Sequence, residues 1–396
     1  MTLKKSALIH YHELSIKGDN RPYFENKFID NIKIYLDGLK YETILHQHAR
    51  IIVKNIDHGS WNQFKARLQS MMGLANTTLV LTSTLDINQI KESAEKCIGD
   101  IKFDTFKIHT KRHNKNFEYT SPELNSIVGE HIRLVTKASV KLKNPDITIY
   151  IEVVDNNAYV GWDRLKGYGG LPAGSCESAL SLISSGIDSP VASFEMIKRG
   201  VKIEFIHFHS APATTIESKQ NVDEIVSYLC NFQPTSTLLH IPILTIQQEI
   251  MKIIPEKLWV IFFRRAMLSI ASIIATKKNF NALVTGESIG QVASQTLANM
   301  RSIADASSLP ILRPLAGSNK EEIINRAINI GTYNLSIKPY QDCCSFFIPN
   351  HPETKAKIDI IKKFDSKLNI EKLLQESIDN AELKEFSFKE NINENN

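Results

Sequence analysis

Within this 396-residue chain, the string Ser184-Ser-Gly-Ile-Asp-Ser189, followed by Pro190-Val-Ala, has the residue types and spacing best suited to chemistry. Small and hydroxyl residues between an apolar strand and a helix aim backbone N–H groups and a helix N-terminus at one point, which suits phosphate. Ser184 and Ser189 add hydroxyl donors, and Asp188 adds a carboxylate able to hold a magnesium ion (Mg2+) on a phosphate chain. The same string would also serve as an ordinary strand-to-helix turn with a Ser or Asp cap. Its place after the first strand of an α/β region favours a ligand, because open α/β sheets bind ligands at the carboxyl ends of their strands. The pattern G-x-x-x-x-G-K-[ST] is absent, which excludes the Walker type of phosphate loop.

A second candidate is the vicinal pair Cys343-Cys344, which follows Pro339-Tyr-Gln-Asp342. The five cysteines (Cys97, Cys176, Cys230, Cys343, Cys344) form no C-x-x-C and no zinc spacing. Adjacent cysteines rarely make a structural disulfide in a reducing compartment. The pair is therefore either one packed and one incidental cysteine, or a thiolate that accepts or resolves a persulfide. Residue type does not say which sulfur acts, and Cys97, Cys176 and Cys230 read as packing residues. Arg264, in an otherwise apolar helix, needs an anion, either a phosphate or a nearby carboxylate. His207-Phe-His209 ends a strand, either as core packing or with a ring beside a purine.

The elements that must position these groups alternate after residue 174. Strands are expected at Ala179–Ser184, Ile203–Phe208, Thr237–Ile241 and Ala282–Val284. Helices are expected at Ser189–Lys198, Lys219–Cys230, Glu256–Lys277 and Lys320–Ile330. That order predicts a doubly wound parallel sheet with helices on both faces. Upstream, the first 83 residues read as strand Ser6–Tyr11, helix Tyr23–Leu39, strands Thr43–His48 and Arg50–Lys54, helix Trp61–Met72 and strand Thr77–Ser83, a ferredoxin-like α/β order. Residues 84–166 form a second unit with helices Ile87–Ile98 and Glu123–Lys137, strand Thr105–Thr110, and a strand pair Ile147–Val154 and Ala158–Asp163 turning at Asn156-Asn157. The run Lys166-Gly-Tyr-Gly-Gly-Leu-Pro-Ala-Gly174 is the clearest linker, so the nucleotide-type domain is expected over 167–375. Residues 376–396 are polar and expected to fray.

Charge is uneven. Residues 1–165 carry a net +4 and the rest of the chain is neutral. Lys107, Lys111, Arg112, Lys115, Arg133, Lys137, Lys141 and Lys143 face only three acids within residues 107–143, either a solvated helix face or a surface for a polyanion. A hydrophobic fraction of 42% and a charged fraction of 23% exclude a disordered or collagen-like chain. The first fourteen residues lack a signal-peptide core and no run of ~18 apolar residues is evident, so a cytoplasmic protein away from the membrane is expected.

Ser-x-Gly-x-Asp-Ser resembles the PP-loop of ATP pyrophosphatases. With Arg264-Arg265, Thr285-Gly-Glu-Ser-Ile-Gly-Gln-Val-Ala-Ser-Gln-Thr296, Leu312-Arg-Pro-Leu315 and Asp342-Cys-Cys344, the chain resembles the tRNA 4-thiouridine synthetase family. Leu14-Ser-Ile-Lys-Gly-Asp-Asn-Arg21 is similar to that family's N-terminal segment. Phe106-Lys-Ile-His-Thr-Lys-Arg112, Ser121-Pro-Glu-Leu-Asn125 and Asn144-Pro-Asp146 are similar to its THUMP RNA-binding domain. The resemblance is colinear over about residues 6–355. Two positions depart from the family pattern. Ser185 stands where the family loop has glycine, and Asn319 stands where it usually has aspartate. Serine costs ~1–2 kcal/mol if that position needs positive φ and nothing otherwise, while Asn319 remains a competent helix cap.

The resemblance implies an ATP site made of Leu182, Ile183, Ser184, Ser185, Gly186, Ile187, Ser189, His207, Phe208, Arg264, Gly286 and Gln295, with His207 and Phe208 flanking the adenine. Gly286 would let the ligand approach the backbone, and Gln295 would offer both a donor and an acceptor. Asp188, Cys343 and Cys344 would be catalytic, and magnesium would accompany ATP without a dedicated protein site. Lys107, Lys111, Arg112, Lys115, Lys137, Lys141 and Lys143 would bind RNA. The implied reaction adenylates the uridine at tRNA position eight and replaces its O4 with sulfur from a persulfide. A rhodanese-like domain, present in some members, would not fit in the ~40 residues after Pro352, so the expected donor is a separate cysteine desulfurase. A homodimer follows family precedent. The rival expectation is an RNA-binding THUMP protein whose PP-loop has decayed at Ser185.

Overall fold

The computed structural model describes residues 5–57, 59–213, 217–338, 347, 349 and 351–388, and the chain divides after Pro172 into two units.

The first unit begins with β1 (Lys5–Tyr11), α1 (Arg21–Tyr35), β2 (Thr43–Gln47), β3 (Arg50–Lys54), α2 (Trp61–Gln69) and β4 (Leu74–Ser83). The strands stand in the order β2-β3-β1-β4 with antiparallel neighbours, as expected of a ferredoxin-like domain. The two helices stop short of their expected ends, and Gly38 and Gly73 with φ +77° and +89° follow them. Next come α3 (Ile87–Ile98), β5 (Thr105–Arg112), α4 (Ser121–Thr136), β6 (Ser139–Val140), β7 (Ile147–Val154), β8 (Asn157–Gly161) and β9 (Arg164–Lys166). Asp86 caps α3, and Thr120 with Glu123 forms a capping box on α4. The apolar stripes of both helices (Ile90, Ile98, Leu124, Val128, Ile132) bury against Phe106, Ile147, Ile149 and Ile151. The β7–β8 turn sits one residue earlier than expected, at Asp155-Asn156, because Asp155 takes φ +49° and Asn157 already pairs with Val154.

The sheet does not stop at residue 83. β4 pairs with β8 as well as β1, so one nine-stranded sheet runs β2-β3-β1-β4-β8-β7-β5-β6, with β9 also on β4.

The second unit contains β10 (Ser178–Leu182), α5 (Asp188–Lys198), β11 (Lys202–His209), α6 (Glu217–Leu229), β12 (Thr235–Pro242), α7 (Leu244–Ile253), α8 (Trp259–Lys277), β13 (Ala282–Val284), α9 (Leu297–Ala304), β14 (Ile311–Leu312), α10 (Lys320–Ile330), α11 (Tyr333–Ser336), α12 (Ile358–Asp365), α13 (Glu371–Asp379) and β15 (Glu382–Ser387). Its sheet runs β14-β13-β10-β11-β12-β15, parallel except for the last strand. Side chains alternate across a strand. Leu180, Ile206, Phe208 and Ile241 bury against α8, while Ser181 meets Ser193 of α5 at 2.9 Å and His240 meets Asp223 of α6 at 2.8 Å. Helices therefore cover both faces.

Two expectations need correction. The segment from Glu376 is not frayed throughout, since α13 runs to Asp379 and β15 pairs antiparallel with β12. Its charges suit an edge strand, with Lys384 on Asp223 at 2.6 Å and Lys219 on Glu382 at 2.7 Å. One described helical segment, Glu256–Lys277, is in fact long and apolar enough to cross a membrane by length and composition. It is the core helix of the second unit, with Ile261, Phe262, Phe263, Ile270 and Ala271 buried.

Candidate functional site

The parallel order places the ends of β10 and β13 side by side, and their loops frame a cavity of about 210 Å³. Ten of the expected residues line it: Leu182, Ile183, Ser184, Asp188, Ser189, His207, Phe208, Arg264, Gly286 and Gln295. Ser185, Gly186 and Ile187 do not. Five lining residues were not expected: Met267, Leu268, Thr285, Glu287 and Ile303. Met267 and Leu268 lie three and four positions after Arg264, one turn along the same helix face, which was the available signal.

The loop between β10 and α5 closes on itself. The Ser184 N–H donates to Ser189 Oγ at 2.9 Å, the two hydroxyl oxygens are 3.2 Å apart, and the Gly186 N–H reaches Ser184 Oγ at 3.4 Å. The serine hydroxyls thus staple the loop through the Ser184 and Gly186 N–H groups, so an anion would meet the loop's other N–H groups. Ser185 is not among the described residues with positive φ, so serine carries no backbone strain there. It is buried, and its hydroxyl has no partner among the described residues.

Asp188 opens α5. One of its oxygens accepts from Lys320 Nζ at 2.7 Å, at the start of α10, and the other from Gln291 Nε2 at 2.8 Å. Asn319 caps α10 in a capping box with Glu322, so the departure at that position keeps the helix start that carries Lys320. No cluster of three His, Cys, Asp or Glu side chains suited to a metal occurs among the described residues. Asp188 retains lone pairs on both oxygens, which fits one ligand to a magnesium ion otherwise held by phosphate and water.

Gly286 lines the cavity and also has a packing role that was not expected. A Cβ there would stand 2.7 Å from the Ser189 nitrogen and 2.8 Å from the Asp188 carbonyl carbon. The close approach is to the backbone of the phosphate loop, so the glycine lets the β13 loop rest against the start of α5. Gln295 is buried with its Oε1 unpartnered among the described residues, an acceptor at the cavity wall.

Arg264 has a carboxylate partner. Its Nη1 donates to Glu287 Oε1 at 2.9 Å, and the other Glu287 oxygen accepts from Arg313 Nε at 2.7 Å and Thr285 Oγ1 at 3.1 Å.

His207 and Phe208 alternate on β11, so Phe208 joins the core beneath α8 while His207 packs edge-on to His240 with ring centroids 5.4 Å apart. His207 Nδ1 lies 3.0 Å from the Ile183 carbonyl oxygen. Burial, with His240 nearby, pushes the His207 pKa down to about 3, so its ring is neutral and Nδ1–H donates. The same burial, aided by Lys219, lowers His209 to about 4.

In the first unit, Lys111, Lys115, Lys137, Lys141 and Lys143 are exposed and Lys107 is half-buried. Arg112 differs, because its Nη1 is committed to the carbonyls of Phe117 and Tyr119 at 3.1 and 2.7 Å. Through that nitrogen it shapes the loop before α4. Cys343 and Cys344 lie outside the described residues.

Comparison with known proteins agrees with this organisation. Residues 6–78 match the ThiI ferredoxin-like domain, residues 85–163 the THUMP domain, and residues 174–370 the family described as thiamine biosynthesis protein (ThiI). A probable tRNA sulfurtransferase of Moorella thermoacetica is 38% identical over 96% of this chain and 97% of its own length. One from Acetivibrio thermocellus is 39% identical over 96% and 98%. Among solved structures, a 4-thiouridine synthetase–RNA complex with bound ATP matches with a TM-score of 0.87 and 33% identity, over 97% of this chain and 100% of that one.

Proposed function

This chain belongs to the ThiI family and is an ATP-dependent tRNA sulfurtransferase, and we propose how its own residues divide that work. ATP lies in the cavity at the ends of β10 and β13, with its phosphates on the N–H groups of the Ser184–Ser189 loop and beside Arg264. Magnesium, with Asp188 as a protein ligand, supplies charge neutralisation on the phosphates. The O4 of the tRNA uridine at position eight attacks the α-phosphorus, the bond to the β-phosphate oxygen breaks, and pyrophosphate leaves. Negative charge on the phosphoryl oxygens meets loop N–H groups and the Arg264 guanidinium, both fixed beforehand. The adenylated O4 is then a good leaving group: the terminal persulfide sulfur attacks C4 and displaces AMP. The second cysteine attacks the protein sulfur of the resulting C4–S–S–Cys adduct, which breaks that S–S bond, releases 4-thiouridine and leaves a protein disulfide for an external thiol to reduce.

Cys343 and Cys344 are the residues we assign to sulfur delivery, one receiving a sulfane sulfur and the other resolving the resulting persulfide by disulfide formation. The sulfur comes from a cysteine desulfurase, the enzyme acts as a homodimer, and its setting is the cytoplasm. Lys107, Lys111, Lys115, Lys137, Lys141 and Lys143 hold tRNA through its phosphates.

The cavity carries this reading, because its charged walls converge with a stapled phosphate loop at the carboxyl ends of parallel strands. A decayed loop is disfavoured by Ser185, which adopts its place without positive φ. The test is conversion of unmodified tRNA to 4-thiouridine, read by mass after nuclease digestion, with ATP, magnesium, cysteine and a desulfurase present. Loss of product in both Cys343→Ser and Cys344→Ser, with pyrophosphate release retained, ties the pair to sulfur delivery, and the variant that still takes up a persulfide from the desulfurase is the one that keeps the sulfur carrier. Pyrophosphate release absent from the native protein refutes the assignment of the cavity.

A further inference from the structure

The proposed nucleotide site rests its cation, Arg264, on a carboxylate, and an Arg–Glu pair alone would present no net charge to a triphosphate. The structure solves this with a second guanidinium. Arg313 follows β14, whose pairing with β13 (Leu283↔Ile311, Val284↔Leu312) sets it beside Glu287. The Thr285 N–H donates to the Leu312 carbonyl at 3.1 Å, so the two loops leave the sheet together. One buried carboxylate then bridges Arg264 at 2.9 Å and Arg313 at 2.7 Å. Arg264 Nε and Arg313 Nη2 are both buried N–H groups without a partner among the described residues.

We infer that Glu287 and Arg313 are positioning residues for the nucleotide phosphates. Glu287 locks the Arg264 guanidinium in one orientation, and Arg313 restores the positive charge that Glu287 would otherwise cancel. Two guanidinium groups on one carboxylate leave a net single positive charge in a half-enclosed site. A long flexible arginine loses rotamer freedom when it clamps a phosphate, and Glu287 removes that loss before the ligand arrives. Buried groups on one ion network couple, so removing either partner should change how Arg264 acts on anions and leave the adenosine part of the pocket intact.

The inference rests on the nucleotide reading above, and the test separates the two. Binding of a non-hydrolysable ATP analogue and of adenosine is measured by calorimetry on the full chain, for the native protein and for Arg313→Gln and Arg313→Lys. Arg313→Gln is expected to bind the analogue about tenfold more weakly, with adenosine unchanged within about twofold, and Arg313→Lys to keep the analogue within about threefold of native. Equal losses for both ligands, or no loss for either, overturn the inference. If Arg313→Gln does not fold, Arg313→Met, which keeps the apolar stem, takes its place. In tRNA-dependent pyrophosphate release, Glu287→Gln is expected to lower kcat without raising KM for ATP, because charge is gained while orientation is lost. A rise in KM with kcat unchanged overturns the positioning role of Glu287. Native protein that binds neither ligand instead refutes the nucleotide reading itself.

Discussion

The cavity of the second unit and the lysine surface of the first handle charge in opposite ways. In the cavity, Asp188 is met by Lys320 and Gln291, and Arg264 and Arg313 by Glu287. On the surface, Lys111, Lys115, Lys137, Lys141 and Lys143 are exposed with no ion pair described for them, next to exposed Leu134, Val140 and Leu142. A small ligand whose atoms must react is served by groups already fixed in direction, since reorganisation at the moment of reaction raises the barrier. A long polyanion is served by mobile lysines, whose contribution comes from counterion release.

The sharpest way to break this contrast is Asp188→Ala. The change removes the partner of Lys320 and the proposed magnesium ligand together, and 4-thiouridine formation is expected to fall by about 100-fold or more. The protein should stay folded by circular dichroism and its tRNA affinity should stay within about twofold. Loss of tRNA binding as well would erase the division of labour.

The reciprocal change is the triple variant Lys137→Glu, Lys141→Glu, Lys143→Glu. tRNA binding at low salt should weaken by about tenfold or more, and the slope of log K against log salt should become shallower. ATP affinity should not move. An unchanged salt slope would show that these lysines do not meet phosphate.

Gly286→Ala sharpens the contrast from the cavity side. Its Cβ would press on the Asp188–Ser189 backbone at 2.7–2.9 Å. A loss of about 1–3 kcal/mol in stability is expected from such overpacking, read as a lowered Tm, along with weaker ATP binding. An equivalent substitution on the open lysine surface should cost almost nothing.

The smallest expected effect is on pH dependence. Burial holds His207 neutral in the folded state down to about pH 3, whereas the unfolded chain protonates near pH 6.5. The unfolded state therefore binds the extra proton as pH falls below about 6.5, and stability declines from there toward pH 3. His209, lowered to about 4, adds to the same decline. Between pH 7 and pH 5 the His207 share is about 2 kcal/mol, so His207→Gln should flatten the curve of Tm against pH over that range. An unchanged slope would show that His207 titrates normally.

Local pattern carried much of this. The phosphate loop and the strand and helix order of both units were readable because each depends on neighbours in sequence: hydrophobic period, caps, and small residues at a strand-to-helix junction. Most of the ten cavity residues came instead from the family resemblance. The departures at Ser185 and Asn319 were also correctly weighed by local geometry, one needing no positive φ and the other still capping α10. What escaped were roles assigned by distant partners. Arg264 could have met phosphate or carboxylate, and Glu287, 23 residues away, supplies the latter. Arg112 has a structural role that its place in the basic segment does not announce, since one of its nitrogens donates to the Phe117 and Tyr119 carbonyls. The last strand was hidden by its charges, because an edge strand needs backbone pairing and little apolar burial.

The sequence by itself determined which groups are available for chemistry, since a Ser/Gly/Asp loop, adjacent cysteines and a lysine-rich segment are matters of residue type and short spacing, and family resemblance chose among the roles they allow. Sheet order alone decided which groups meet. Setting β14 beside β13 brings Arg313 to Glu287 and hence to Arg264, and pairing β4 with β8 merges two sequence domains into one sheet. Those contacts join residues far apart in the chain, and their geometry depends on hydrogen-bond registers that no local window contains.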